Sequence, residues 1–204
     1  MKAEPMMGAR RLFLLAGAGA LVAWLAACAS APPERFYRLV AMASPAAAGG
    51  NGPVIDVAAI ALPELFDRPQ MVTLGSGSRV EISERHRWAE PLKLAIGRVV
   101  AAQLSAALDA PFVQAYPQAA VGAAALRVSL QVQRFDAEPG VAVEDEILWT
   151  VRRLADGQTR AGRGSARVVV AEPGHAGLPA AHVAALASIS RDIARAAAEL
   201  SPSR

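Results

Sequence analysis

The stretch LRVSLQVQRF, residues 126–135, decides the fold class of this chain. Its apolar residues take every second position, and polar residues take the positions between them. Such alternation is typical of a β-strand with one face on a core and the other in water. The apolar set is Leu126, Val128, Leu130 and Val132. The sequence therefore predicts a half-buried strand at this point.

The neighbouring segments predict a sheet around this strand. Residues 143–154 form a hairpin partner with Ile147, Trp149 and Val151 on one face, and Asp156-Gly157 predicts the turn into a third strand over residues 164–170. Further strands are predicted upstream at residues 36–40, 54–62, 71–74, 79–82 and 112–115.

Two segments have the periodicity of helices. Residues 88–108 place apolar side chains three and four positions apart, with Pro91 tolerable only in the first turn. Residues 178–200 repeat the same spacing from Val183 to Leu200 in an alanine-rich background. This order of elements predicts an α+β fold: a single domain with a mainly antiparallel sheet and two helices packed on one face.

The N-terminal residues have the organisation of an export signal. Residues 1–11 carry three basic residues and one acidic residue, and an uncharged apolar run follows through residue 27. That run is short for a membrane-spanning helix, which needs about 20 residues. A plain transmembrane anchor is therefore the second choice, and a cleaved signal peptide is the first.

The sequence Leu25-Ala26-Ala27-Cys28 favours a particular kind of signal. It resembles the lipobox of bacterial lipoproteins, in which two small residues precede the cut and the cysteine thiol carries a diacylglycerol through a thioether. We therefore predict a signal peptide over residues 1–27, a lipidated tether over 28–35 and a domain over 36–204. The partner of Cys28 is then a membrane, which several hydrocarbon chains are enough to hold stably.

The residue after the cysteine bears on location. By resemblance to lipoprotein sorting in two-membrane bacteria, an aspartate there favours retention at the inner membrane. This chain has Ala29 instead. The prediction is a protein anchored in the outer membrane and facing the periplasm.

The charge balance argues against a nucleic-acid partner. The net charge is +3, but Lys2, Arg10, Arg11 and Glu4 lie in the predicted signal peptide, and the remainder has 18 basic and 17 acidic residues. The charges alternate in sign and form no basic stripe. The single cysteine also excludes an internal disulfide.

No pattern of catalytic or metal-binding residues stands out. We expect His86 to be solvated among charged neighbours, His175 to lie in a loop and His182 to lie on the outer side of the last helix. No histidine pair has ligand spacing, so neither a metal nor a cofactor is predicted. Glu144, Asp145 and Glu146 form an acidic cluster, but neighbours on a strand point to opposite faces. The cluster is interpreted as a solvated strand start, and no enzyme is predicted.

Two segments carry a family resemblance: IALPELFDRPQ, residues 60–70, and RWAEPL, residues 87–92. Together they resemble the ABC-type transport auxiliary lipoproteins, a family that includes PqiC-like intermembrane-transport lipoproteins. In that family a strand ending in Leu-Pro is followed by Asp-Arg-Pro-Gln, and Trp-Ala-x-Pro-Leu opens the first helix. The lipobox, the alternating strand and the closing helix occur here in the same order.

The resemblance implies a non-catalytic role beside a partner. Members work with a permease, an ATPase and an MCE-type substrate-binding protein to move lipids between the inner and outer membranes. The loop of Asp67, Arg68, Pro69 and Gln70 is then the candidate docking surface for the MCE-type protein. Rings of copies occur in the family, which leaves a homo-oligomer open. A lipid-binding carrier and an envelope-assembly or enzyme-activating lipoprotein remain as alternatives.

The motif residues also have structural interpretations, and Pro63, Trp88, Glu90 and Pro91 are assigned to architecture. Prolines at both ends stiffen the loop. Arg68 is placed to pair with Asp67 or Glu64, and Trp88 to fasten the helix start to the sheet. A carboxylate at Glu90 suits the positive end of the helix. We expect the two motif segments to lie together at one edge of the domain.

Overall fold

The computed structural model describes residues 33–42, 49–75, 77–118 and 122–201. The predicted signal peptide, Cys28 and Ala29 lie outside these ranges. Residues from Glu34 onward form one compact unit. Its strands are β1 (Arg35–Tyr37), β2 (Ile55–Val57), β3 (Gln70–Leu74), β4 (Val80–Trp88), β5 (Val113–Ala115), β6 (Leu126–Glu138), β7 (Ala142–Arg153) and β8 (Thr159–Val169). Its helices are α1 (Leu92–Leu108) and α2 (Leu178–Leu200).

The strands form two mixed sheets. The larger has the order β5-β2-β6-β7-β8, in which β6, β7 and β8 are antiparallel and β2 runs parallel to both β5 and β6. The smaller has the order β1-β4-β3, with β1 parallel to β4. The α+β class is confirmed, but the single, mainly antiparallel sheet is corrected. Strands that pair after long connections lie parallel here, which hairpins cannot do.

The alternating stretch forms β6, and its alternation changes phase once. Its buried residues up to Val132 occupy even positions. A bulge between Val132 and Arg134 then inserts one residue, so that the buried positions become Phe135 and Ala137. The bulge turns the Phe135 ring onto the core face, beside its register partner Asp145 of β7.

Helix α2 packs on the three antiparallel strands, and α1 packs on α2 and β5. The span of α2 agrees with the predicted one. Helix α1 begins at Leu92, four residues later than predicted, because Trp88 ends β4 and Pro91 takes the cap position. The Pro91 carbonyl accepts the first helical N–H groups. Of the helices in the described ranges, none has both the length and the apolarity needed to cross a bilayer.

Strand β8 begins at Thr159, five residues before its predicted start. Two of its glycines allow close packing against β7 and α2. A methyl group at Gly162 would lie 2.3 Å from Cζ2 of Trp149, and one at Gly164 would lie 2.7 Å from Cγ2 of Ile189. The small residues therefore make room for an indole from β7 and for a branched side chain from α2.

Candidate partner-docking site

The first motif segment forms a turn between the two sheets, which we call the motif loop (residues 63–69). Before it, Ala61 pairs with Gln131 of β6, and β2 itself is shorter than the predicted strand. The loop then closes on itself, since the N–H groups of Phe66 and Asp67 donate to the Pro63 carbonyl at 2.9 and 3.2 Å. The chain leaves the larger sheet before Pro63 and enters β3 at Gln70.

The motif loop has a buried anchor and an exposed side. Phe66 is 8% exposed and meets the Phe135 ring edge-on, with ring centroids 6.3 Å apart. Of the candidate docking residues, Asp67 and Pro69 are exposed, whereas Arg68 and Gln70 are half-buried. The exposed residues of the loop are Glu64, Leu65, Asp67 and Pro69. A buried aromatic ring thus fixes a loop whose other side is open to solvent.

Trp88 joins the two motif segments. Its backbone N–H donates to the Pro69 carbonyl at 2.7 Å, and the backbone N–H of Ala89 donates to the Tyr37 carbonyl at 2.7 Å. The indole is 8% exposed and lies edge-on to Phe135 at 6.4 Å between ring centroids. The motif segments therefore lie together. The role expected for Trp88 is corrected in one respect: it ends a strand and does not belong to the helix.

The charges around the loop differ from the expected pairs. Lys93 Nζ of α1 donates to Asp67 Oδ2 at 2.7 Å, while no carboxylate among the described residues pairs with Arg68. The Nε of Arg68 is buried and has no hydrogen-bond partner in the same part of the chain. The expected pairing of Arg68 is therefore wrong, because the lysine from the adjoining helix takes the nearby carboxylate.

Glu90 and Arg98 tie the helix start to the N-terminal segment. Arg98 pairs with the Glu90 carboxylate and also donates to the Leu39 carbonyl at 3.1 Å. Glu90 precedes the cap residue Pro91, and the first turn of α1 contains no acidic residue. Glu90 therefore lies near the helix start, and its main contact is the ion pair with Arg98, eight residues later in the chain.

A buried pair, which was predicted to lie at the surface, packs against Trp88 and Phe135. His182 of α2 is 1% exposed and Asp145 of β7 is 0% exposed. His182 Nδ1 and Asp145 Oδ1 are 2.8 Å apart. The imidazole stacks on Phe135 with ring centroids 3.8 Å apart and meets Trp88 edge-on. The predictions of a solvated Asp145 and an outward-facing His182 are therefore wrong.

The periodicity of β7 and of α2 indicated that both members of this pair are buried. Asp145 has the same parity as Ile147 and Val151, which were predicted to share one face of the strand and are buried in the core. His182 lies one helical turn before Leu186, another core residue. The charged neighbours of Asp145 and the polarity of His182 suggested water, but their positions in the repeat indicated the core.

The Asp145–His182 pair is suited to holding the core together. Burial raises the pKa of the Asp145 carboxyl, and the adjacent His182 opposes that shift. Asp145 Oδ2 is also buried and lacks a hydrogen-bond partner among the described residues. Because neither side chain reaches solvent, a substrate cannot contact them. The geometry assigns the pair to packing and to the link between β7 and α2.

The flanking carboxylates of the acidic cluster face the other way. Glu144 pairs with Arg134 at 2.7 Å, and Glu146 pairs with Arg163 at 3.3 Å. These pairs lie on the solvent face of the larger sheet. The expectation that neighbours in the cluster point to opposite faces is confirmed, although only Glu144 and Glu146 are at the surface.

His86 and His175 are brought together by the fold. His86 lies in β4, and its ring stacks on that of His175 at 3.9 Å between centroids, with 8° between the ring planes. The Tyr37 hydroxyl lies 2.9 Å from His86 Nδ1. The expectation of a fully solvated His86 is corrected, because the ring is half-buried between Tyr37 and His175. Burial is the main cause that lowers the pKa of both imidazoles. Across the described residues, no three metal-binding side chains cluster.

Comparison with known proteins identifies one family and solved structures of similar fold. Residues 37–194 match the family of ABC-type transport auxiliary lipoprotein components. No curated protein matches the chain. A crystal structure described only as that of an uncharacterized protein is similar at a TM-score of 0.67 and 20% identity, covering 83% of this chain and 100% of its own.

A second crystal structure, of a Xanthomonas campestris protein, is similar at a TM-score of 0.60 and 16% identity. The match covers 78% of this chain and 92% of that one. At these identities the two structures bear on the fold alone. They support the arrangement of sheets and helices described above.

Proposed function

Because the chain belongs to the ABC-type transport auxiliary lipoprotein family, we propose that it is a non-catalytic, lipid-anchored subunit of an MCE-type lipid transport system. In this proposal Cys28 carries the lipid, Ala29 directs the protein to the outer membrane, and the domain faces the periplasm. The transporter moves lipids between the two membranes. The domain supplies a fixed surface for the MCE-type substrate-binding protein.

The observation that carries the proposal is the construction of the motif loop. The Phe66 ring packs against Phe135 in the core, and the backbone N–H of Trp88 donates a hydrogen bond to the Pro69 carbonyl. These two contacts fix the loop. A loop fixed in this way loses little conformational entropy when a partner binds, which favours recognition. Its exposed side combines Leu65 and Pro69 with the charges of Glu64 and Asp67. Such a mixed surface is suited to a protein partner.

Arg68 is the residue that we propose to contact the partner most directly. Within the described chain its guanidinium has no carboxylate partner, and the carboxylate of the neighbouring Asp67 is paired with Lys93. A guanidinium offers five N–H donors in a fixed fork, and arginine is enriched among the residues that dominate binding energy at interfaces. We propose that an acidic or carbonyl group of the MCE-type protein accepts from it.

A charge reversal tests this docking role. Arg68→Glu is expected to weaken capture of the MCE-type protein about tenfold or more, equivalent to about 1.4 kcal/mol or more. The midpoint of thermal unfolding should stay within a few degrees of wild type. Arg195→Glu is the matched control, since Arg195 is an exposed arginine of α2 far along the chain from the loop. Wild-type capture by Arg68→Glu would make the loop a structural connector only.

The carrier alternative requires a long apolar cavity between the helices and the sheets. Fully buried side chains occupy the core there, among them Ile96, Leu104, Leu186 and Ile189. Among the grooves in the described residues, one of about 540 Å³ lies between α1 and α2 and has Arg191, Asp192 and Arg195 along it, and one of about 180 Å³ lies between α1 and residues 58–60. The charges of the first groove are unsuited to an acyl chain, and the second groove is small for one. We therefore keep the docking role as the proposal.

A further inference from the structure

The segment after the predicted tether exposes three large apolar side chains within seven consecutive residues. Phe36 is 61% exposed, Val40 55% and Met42 80%. In the described residues only two other large apolar side chains exceed half exposure, Tyr116 and Val169. Single exposed apolar residues are ordinary, but a cluster of them marks an interaction surface. We call these three residues the apolar stripe.

The backbone makes the stripe a continuous face. Exposure alternates along the segment: Arg38 shares the exposed face with the stripe, whereas Leu39 is 0% exposed and Ala41 is half-buried. Alternation of this kind belongs to extended backbone, with neighbours on opposite sides. At roughly 3.3 Å per residue the stripe is about 20 Å long.

Contacts on the inner side hold the segment in place. The Tyr37 carbonyl accepts from the N–H of Ala89, and the Leu39 carbonyl accepts from Arg98 at 3.1 Å. The Tyr37 hydroxyl meets His86. The exposed side chains are therefore presented by a fixed backbone, and the domain itself supplies nothing in the described residues to cover them.

The position of the anchor decides what covers the stripe. Phe36 lies eight residues after Cys28. Eight residues span at most about 29 Å when fully extended, so a lipid on Cys28 keeps the stripe close to the membrane surface. Arg35 and Arg38 lie in the same segment, which has no acidic residue from 35 to 42, and neither arginine forms an ion pair in the described chain. Aromatic and aliphatic side chains beside basic ones suit the interface of an anionic bilayer.

We propose that Phe36, Val40 and Met42 insert into the headgroup region of the membrane that holds the lipid anchor. The inference rests on the proposed lipidation of Cys28. The stripe is then a second membrane contact, which fixes the orientation of the domain. The lipid alone would leave the domain free to rotate about its tether.

A single fluorescent label tests the insertion. The lipidated full-length protein is reconstituted into vesicles of phosphatidylethanolamine and phosphatidylglycerol, with an environment-sensitive thiol label at Met42→Cys. The matched control carries the label at Val169→Cys, because Val169 is 76% exposed and lies at the end of β8. The thioether of Cys28 cannot react, so each protein carries one label.

The label at position 42 is expected to be quenched by nitroxide lipids and shielded from aqueous iodide several-fold more than the label at position 169. Equal iodide access at both positions would overturn the inference. So would a label at position 42 that is shielded from iodide but not quenched by nitroxide lipids, because a second copy of the chain would then cover the stripe. Flotation of the unlabelled protein reports the anchor separately. Failure to float overturns the anchor and this inference together, whereas flotation with an iodide-accessible label overturns the stripe alone.

Discussion

The indole of Trp88 lies between the end of one strand and the rings of two other elements. It meets Phe135 of β6 and His182 of α2 edge-on, while its backbone N–H binds Pro69. Truncation of a buried tryptophan costs about 3–5 kcal/mol. Trp88→Ala is therefore expected to lose about that much stability in urea denaturation.

The companion variant Trp88→Phe separates ring packing from a general effect of substitution. It keeps an aromatic side chain against Phe135 and should lose clearly less stability than the alanine variant. Identical urea midpoints for wild type and Trp88→Ala would contradict the buried position of the ring.

The buried Asp145–His182 pair makes a prediction about how its two members depend on each other. Removing one member of a buried polar pair commonly costs about 3–5 kcal/mol, because the other is left without a partner in a dry site. Asp145→Leu alone and His182→Phe alone should therefore each destabilise strongly. Replacing both together, as Asp145→Leu with His182→Phe, should restore much of the loss, since an apolar pair of similar volume needs no partner.

Urea denaturation of the wild type, the two single variants and the double variant completes a thermodynamic cycle. The expected coupling is large and favourable to the double variant. If Asp145→Leu alone and the double variant are equally unstable, the pair contributes through volume alone and its hydrogen bond has no role in the core.

At the scale of elements, the sequence predicted which strands and helices form better than it predicted which of them contact one another. The alternation in β6 and the spacing in α2 come from burial on one face, which a sequence records directly. The phase change at the bulge was not predictable, because an inserted residue is visible only against the partner strand. The same holds for Lys93, whose bond to Asp67 joins a helix to a loop 26 residues earlier.

The contact between β4 and the loop before α2 predicts a pH dependence. Burial is the first cause that lowers the pKa of His86 and of His175 below the ordinary value of 6.5. Arg35 and Arg85 lower the pKa of His86 further, and His86 itself lowers that of His175. Only Glu81 acts in the opposite sense, on His175.

The sign follows from proton uptake. Below pH 6.5 the unfolded chain takes up protons that the folded pair resists, so stability should fall as the pH is lowered through that region. Urea midpoints at pH 7.5 and pH 5.5 measure the effect. In His175→Phe the stacked ring is kept and one titrating group is lost, so the difference between the two midpoints should shrink. An unchanged difference would assign the acid sensitivity to other groups.

At the scale of the whole molecule, the class of fold was predictable and the topology was not. The order of strands and helices indicated α+β because each element has its own periodicity. Period-two alternation says nothing about the direction of a neighbour. The parallel pairings of β1 with β4 and of β2 with β5 and β6 join distant segments, so the division into two sheets appeared only in three dimensions. The candidate loop was found by resemblance, and its contacts by structure.

The proposed membrane anchor would set the placement of the whole molecule, and the proposal depends on one side chain. Only the Cys28 sulfur offers a thiol for the thioether, since the chain has a single cysteine. Serine is close in size but provides no thiol. Cys28→Ser is therefore expected to abolish labelling with radioactive palmitate and to leave the precursor uncut by the lipoprotein signal peptidase. The domain, which begins several residues later, should fold as before and show an unchanged urea midpoint.

Ala29→Asp is the companion variant: it should keep lipid labelling and processing but move the protein from the outer-membrane to the inner-membrane fraction. Normal acylation of Cys28→Ser would refute the lipobox assignment, whereas normal acylation with unaltered fractionation of Ala29→Asp would refute only the sorting assignment.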